Sequence, residues 1–262
     1  MRPVRLHHIV EGPPDAPAIV LGGSLGSALA MWDPQVPALA DRFRVIRYDH
    51  RGHGWSPVPP GPYELADLGA DVLSLMDELG VQWAHHVGLS LGGMVATWLA
   101  AHAPERVDRL ALLCTSALLG PPQRWSDRAA AVRAASDTGA VADAVVAGWF
   151  TPGYAAREPE RVAAARAMIA ATPADGYAAC CGAIERMDLT GDLAAVAAPT
   201  LVIAGAEDQA APIVHAERLA AGIRGARLAA VPDAAHVANL EQAEAVTKLL
   251  LDHLTDAPEE SQ

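Results

Sequence analysis

Residues 84–103 read AHHVGLSLGGMVATWLAAHA. A short apolar run ends in Gly88-Leu89-Ser90-Leu91-Gly92, and Met94, Val95, Trp98, Leu99 and His102 then recur at helical spacing. The pattern predicts a strand, a sharp turn and a helix with Ser90 at the apex, the G-x-S-x-G arrangement that exposes a nucleophile. The turn brings strand and helix so close that side chains two positions either side of the serine would collide, and glycine removes the collision. It also lifts the Ser90 hydroxyl clear of the sheet and turns the first helical N–H groups towards it.

Outward from this stretch the chain alternates. Apolar runs at residues 4–10, 18–21, 43–48, 109–114, 199–205 and 227–231 read as strands. Helical spacing is expected over residues 35–41, 64–79, 213–221 and 240–254, with Gly80 placed to end the second of these. The four prolines within residues 57–62 exclude regular structure there. This rhythm argues an α/β fold: a mostly parallel central sheet with helices on both faces. Residues 125–198 break the rhythm, being alanine-rich, without a clear strand, and helix-patterned over 125–135, 140–150, 159–171 and 174–187. The expected organisation is therefore a core domain of residues 1–120 and 198–262, with a helical cap inserted as residues 121–197.

A second G-x-S-x-G match, Gly22-Gly23-Ser24-Leu25-Gly26, follows an early strand and meets Pro34 instead of a convincing helix. It reads as a glycine-rich loop that lets backbone approach the site, so Ser90 is the expected nucleophile. The partners should follow in the order acid, then histidine. Asp208 lies just past the 199–205 strand and His236 just past the 227–231 strand, with Glu207 and Asp233 as neighbouring alternatives for the acid. In a parallel sheet both loops reach the carboxyl edge beside the elbow, where ligands bind. His236 would take the Ser90 proton, and Asp208 would hold the imidazole tautomer. The backbone N–H groups of Leu91 and Leu25 are the expected oxyanion hole.

Length and composition narrow the rest. The 262 residues are 52% apolar, enough for one large core, and the net charge is −12, which disfavours nucleic acid as a partner. Cys114, Cys180 and Cys181 form no disulfide framework, and the basic N-terminus lacks an apolar signal core, so a reducing cytoplasm is expected. No run is long enough to span a membrane. No P-loop or dinucleotide fingerprint is present, and the histidines form no metal signature; His50-x-x-His53 reads as part of a structural turn. No cofactor and no metal are therefore expected. The acidic tail after Leu254 is expected to fray.

With these residues placed, the chain resembles the α/β-hydrolase superfamily along its length, and more closely the 3-oxoadipate enol-lactonases. The stretches that carry the closer resemblance are Ser24-Leu25-Gly26 with Met31-Trp32-Asp33-Pro34-Gln35, Phe43 through Gly54 (FRVIRYDHRGHG), Pro60-Gly61-Pro62-Tyr63, Trp149-Phe150-Thr151-Pro152 and Gly176-Tyr177-Ala178-Ala179-Cys180-Cys181. The resemblance implies a small lactone carrying a carboxylate as substrate, and hence a local cation in an otherwise acidic protein. The cap offers Arg124, Arg128, Arg133, Arg166 and Arg186, of which Arg133 and Arg186 are the expected ligands. Trp125 and Trp149, with Trp32 as a third, would wall the pocket. The chain departs from the family in Glu185-Arg186, where the positive charge is displaced by one position, and in the glycine-rich Leu21-Gly22-Gly23. Other esterases, lactonases and perhydrolases share the scaffold. A haloalkane dehalogenase would need aspartate at Ser90, and a non-catalytic receptor of the same fold would bind ligand without turnover.

Overall fold

The computed structural model describes residues 1–255. Its sheet is built from β1 (His8–Glu11), β2 (Ala18–Gly22), β3 (Arg44–Tyr48), β4 (Ala84–Leu89), β5 (Val107–Leu113), β6 (Thr200–Gly205) and β7 (Arg227–Val231). The seven strands lie in the order β1-β3-β2-β4-β5-β6-β7. The β1–β3 pair is antiparallel and the other pairs are parallel. Every residue of β2, β4 and β6 is buried, as expected where helices cover both faces of a parallel sheet. Side chains divide between two cores by the period of two: Val20 joins one, while Ile19 and Leu21 join the other.

The chain leaves β2 towards β3 and then returns to the far side of β2 to form β4. The loops after β2 and β4 therefore diverge, and a crevice opens at their carboxyl ends. Both glycine-rich stretches border that crevice. Helix Leu65–Glu78 starts with a reciprocal cap between Glu64 and Asp67 and is followed by Gly80 at φ 69°. Between β5 and β6 run five helices, Pro122–Ala135, Gly139–Ala147, Pro152–Arg157, Pro159–Ala170 and Ala174–Arg186, which roof the crevice. The Leu189 N–H donates to the Ala117 carbonyl at 2.8 Å, so the outgoing and returning chains meet at the base of this roof.

Three elements differ from expectation. The first strand begins at His8 instead of residue 4, because Val4 N–H donates to the Asp71 carboxylate at 2.7 Å and His7 N–H to Ser56 Oγ at 2.8 Å instead of to a ladder. Helix Pro152–Arg157 is additional; Thr151 caps it by accepting from Tyr154 N–H at 3.2 Å. The last helix is split into Ala238–Glu241 and Ala243–Thr255, because Gln242 adopts φ −123° and ψ 54°. Apart from Thr255, the tail expected to fray lies outside the described residues. Among the described residues no helix is long and apolar enough to cross a membrane.

Candidate active site

Ser90 occupies the turn between β4 and helix Leu91–His102 with φ 55° and ψ −114°. Such a backbone costs a non-glycine residue about 1–3 kcal/mol and persists only when its surroundings over-determine it. They do so here. Ser90 N–H donates to the Leu113 carbonyl at 2.9 Å, and the Ser90 carbonyl accepts from Thr115 Oγ1 at 2.7 Å and Met94 N–H at 3.0 Å. A Cβ on Gly88 would lie 2.2 Å from the Gly92 carbonyl oxygen, and one on Gly92 would lie 2.2 Å from the Gly22 carbonyl oxygen. The two glycines are thus required by backbone contact, one within the elbow and one between the elbow and the loop after β2.

His236 and Asp208 come together at the same edge. His236 Nδ1 donates to Asp208 Oδ2 at 2.9 Å, and both side chains are almost wholly buried. Asp208 Oδ1 also accepts the Ala210 and Ala211 N–H groups at 2.8 and 2.9 Å. Burial alone would raise the Asp208 carboxyl; the imidazole and the two backbone donors outweigh it and hold the group below the usual aspartate value. Ser90 and His236 line one cavity of about 180 Å³, a space for a small metabolite. Ser24, Leu25, Leu119, Gln209 and Ala210 also line it, and the helical segment between β5 and β6 adds Arg124, Trp125, Arg128, Val145 and Trp149.

Leu25 lines this cavity, and Leu91 directly follows Ser90 as the first residue of its helix. Their neighbours are committed elsewhere: Gly26 N–H donates to His53 Nε2 and Gly92 N–H to the Gly23 carbonyl, each at 2.9 Å. The N–H groups of Leu25 and Leu91 make no backbone hydrogen bond among the described residues. Ser24 is buried, and its carbonyl accepts from Ser27 N–H and Ser27 Oγ in a tight turn. The second G-x-S-x-G match is therefore a loop that opens no helix.

Trp125 and Trp149 line the cavity, as expected, but Trp32, Arg133 and Arg186 do not. Trp32 has no exposed surface and packs in the core with Ile19, Leu21 and Leu39, because the turn Leu29–Trp32 rolls its side chain inward. Arg133 lines a separate surface groove with Pro59–Pro62 and Asp175. Arg186 donates to the Glu64 carboxylate at 2.8 Å and the Tyr63 carbonyl at 2.7 Å, tying the cap's last helix to the core. Arg124 and Arg128 take their place at the cavity. They sit one turn apart on helix Pro122–Ala135, and their guanidinium carbons lie 5.5 and 5.0 Å from the Trp125 ring centre. Neither is paired with a carboxylate among the described residues. Burial, and then the like charge of Arg128, lowers the Arg124 guanidinium from its ordinary value. Helical phase explains the exchange: four residues turn the helix by about 40° beyond a full turn, whereas the five from Arg128 to Arg133 turn it by about 140° beyond one.

Glu241 is a further residue at the site that local patterning misses. It is 8% exposed. Its Oε1 accepts Thr151 N–H and Thr151 Oγ1, each at 2.8 Å, and its Oε2 accepts the N–H of Ala235. On the other side of His236, Val237 N–H donates to the Trp149 carbonyl at 3.1 Å. The histidine loop is therefore tied at both flanks to the cap segment that carries Trp149. The only sequence signal was the Trp149–Pro152 stretch itself, whose partner lies 90 residues away.

The fold has known relatives. A profile of the alpha/beta hydrolase fold matches residues 16–243. The chain is 38% identical to 3-oxoadipate enol-lactonase 2 of Acinetobacter baylyi, over 92% of this chain and 90% of that one. It is 34% identical to a Variovorax paradoxus protein with the provisional name carbamate hydrolase, over 95% and 96% of the two chains. Its fold superposes on the crystal structure of the enol-lactonase from Burkholderia xenovorans LB400 with a TM-score of 0.94 at 44% identity, covering 96% of each chain. With the parallel sheet, the elbow and these similarities in hand, the chain belongs to the α/β-hydrolase superfamily and is a hydrolase similar to the 3-oxoadipate enol-lactonases.

Proposed function

We propose that this hydrolase opens 3-oxoadipate enol-lactone to 3-oxoadipate through an acyl-enzyme on Ser90. The observation that carries the choice of substrate is the pair Arg124 and Arg128, two cap cations with no carboxylate partner beside the serine in a protein of net charge −12. A substrate with a free carboxylate would otherwise be repelled. Similarity to two enol-lactonases of known name supports the same choice.

In the proposed reaction Ser90 Oγ attacks the lactone carbonyl carbon while His236 Nε2 takes its proton. Asp208 keeps Nδ1 protonated, so that Nε2 is the base, and stabilises the imidazolium. The Leu25 and Leu91 N–H groups receive the tetrahedral oxyanion. The ring C–O bond then breaks, and the imidazolium returns its proton to the enol oxygen. The enol tautomerises to the ketone. His236 then takes a proton from a water molecule whose oxygen attacks the acyl carbon; the bond to Ser90 Oγ breaks, the imidazolium returns the proton to Oγ, and the second carboxylate is freed. No metal or cofactor enters these steps. The reaction belongs to the β-ketoadipate route of aromatic degradation, and a reducing cytoplasm suits the three free cysteines.

The test is direct. Purified enzyme should open the enol-lactone, and Ser90→Ala should lower turnover roughly 10³–10⁶-fold with the fold retained. Near-normal activity in that variant refutes the nucleophile. An enzyme that ignores the lactone but cleaves carbamates or simple aryl esters refutes the substrate and leaves the serine chemistry standing.

A further inference from the structure

The pair His50 and His53 is absorbed neither by the triad nor by a metal site, yet both rings are almost fully buried. They hold the loop after β2 at two points. His50 Nε2 lies 3.0 Å from the Gly23 carbonyl oxygen, the same oxygen that accepts Gly92 N–H. His53 Nε2 lies 2.9 Å from Gly26 N, and its Nδ1 lies 3.2 Å from the Arg51 carbonyl oxygen. A carbonyl only accepts and a backbone N–H only donates. The partners therefore dictate the tautomers: His50 carries its proton on Nε2, whereas His53 carries it on Nδ1 and presents a bare lone pair to Gly26. Burial, which is the largest cause in each case, keeps both rings neutral, His50 down to about 3 and His53 down to about 4.

The consequence falls on Leu25. A peptide group is planar and trans, so an N–H points opposite to the carbonyl of its own plane. The Ser24 carbonyl is held by Ser27 N–H at 3.0 Å and Ser27 Oγ at 2.8 Å, which sends the Leu25 N–H away from the Ser27 turn. The next peptide plane is held by the bond from Gly26 N–H to His53. With Gly26 at φ 81° the backbone there has no side chain to steady it. Without an acceptor at position 53, the Gly26 N–H would be buried and unsatisfied unless the loop turned.

We propose that His53 is a positioning residue of the oxyanion hole: its unprotonated Nε2 accepts the Gly26 N–H and holds the peptide plane that follows Leu25, so that the Leu25 N–H, whose own plane the Ser27 turn sets, stays in place. The proposal rests on the reading of Ser90 as nucleophile and Leu25 as an oxyanion donor. His53 does not line the cavity. Its effect is on the tetrahedral state and not on ground-state binding.

The experiment compares wild type with His53→Leu, which has no acceptor, and His53→Gln, which restores a carbonyl acceptor. Each is assayed on the enol-lactone and titrated with an alkyl boronic acid, which forms a tetrahedral adduct on a catalytic serine, and with the product dicarboxylate. In His53→Leu kcat should fall about 10- to 100-fold, with KM and product affinity within about twofold, since a displaced oxyanion donor is felt only in the tetrahedral state. Boronate affinity should fall in parallel, and His53→Gln should recover most of both. Wild-type kcat and boronate affinity in His53→Leu, or equal losses in both variants, would overturn the proposal. A wild-type enzyme that fails to bind boronate overturns the serine reading and this proposal with it. Nitrogen-15 histidine spectra of the wild type serve whether or not the leucine variant folds. A bare, hydrogen-bonded Nε2 on His53 is expected, and a protonated Nε2 refutes the role.

Discussion

Replacing Glu241 by glutamine tests whether one buried group sets both the cap and the loop that carries His236. The carboxylate accepts three hydrogen bonds, two from Thr151 on one oxygen and one from Ala235 N–H on the other. Glutamine has the same shape but one acceptor oxygen. If that oxygen keeps Thr151, the amide NH₂ faces the Ala235 N–H, donor against donor in a buried place. The loss is one charge-assisted bond and one unsatisfied donor, about 2–3 kcal/mol. For a chain of this size that lowers Tm by roughly 4–10 °C. The catalytic effect is separate, because Ala235 directly precedes His236. Freed at that flank, the imidazole loses its alignment with Ser90, and a displacement on the order of 1 Å costs up to about 100-fold in kcat. Thermal melts and steady-state kinetics on the enol-lactone, the latter well below the variant's Tm, measure the two effects independently. A lowered Tm with unchanged kcat and KM would show that Glu241 only braces the cap. An unchanged Tm and unchanged kcat together would refute the three-bond arrangement.

Three further substitutions probe the roof and the elbow. Arg124→Met and Arg128→Met should each lower kcat/KM on the carboxylate-bearing lactone by roughly 5- to 30-fold, about 1–2 kcal/mol after allowing for partial exposure, while cleavage of an uncharged aryl ester stays within about threefold; equal losses on both substrates would remove the carboxylate role. Gly92→Ala places a methyl 2.2 Å from the Gly22 carbonyl oxygen, which should cost about 3 kcal/mol or more and show as a steep fall in Tm or in soluble yield; a Tm near wild type would mean that sheet and helix can separate there.

Sequence alone determined the parts of this protein that rest on local rules. The period-two and helical patterns located the strands and most helices, because burial on a two-sided sheet dictates them over a few residues. The elbow was legible because Gly88, Ser90 and Gly92 satisfy a steric demand within five positions. Asp208 and His236 were legible because a parallel sheet carries every strand's exit loop to one edge. That same edge brings their side chains to 2.9 Å.

Tertiary structure decided what depends on how distant segments meet. Which cap arginines face the cavity is a matter of helix phase and docking angle, so Arg124 and Arg128 line it where Arg133 and Arg186 were expected. The family-like stretches have contacts that no local period encodes. Gly176 packs on Gly52 so closely that a Cβ on Gly52 would come within 2.5 Å of the Gly176 Cα, which docks the cap on the loop holding His50 and His53. Thr151 reaches Glu241, while Met31 Sδ accepts Ser24 N–H at 3.3 Å and steadies the loop that carries Leu25. A pattern read along the chain states which side a residue faces within its own element. Hydrogen bonds spanning 27 residues from Gly26 to His53, or 90 from Thr151 to Glu241, exist only once the elements have packed, because directional partners are chosen in three dimensions.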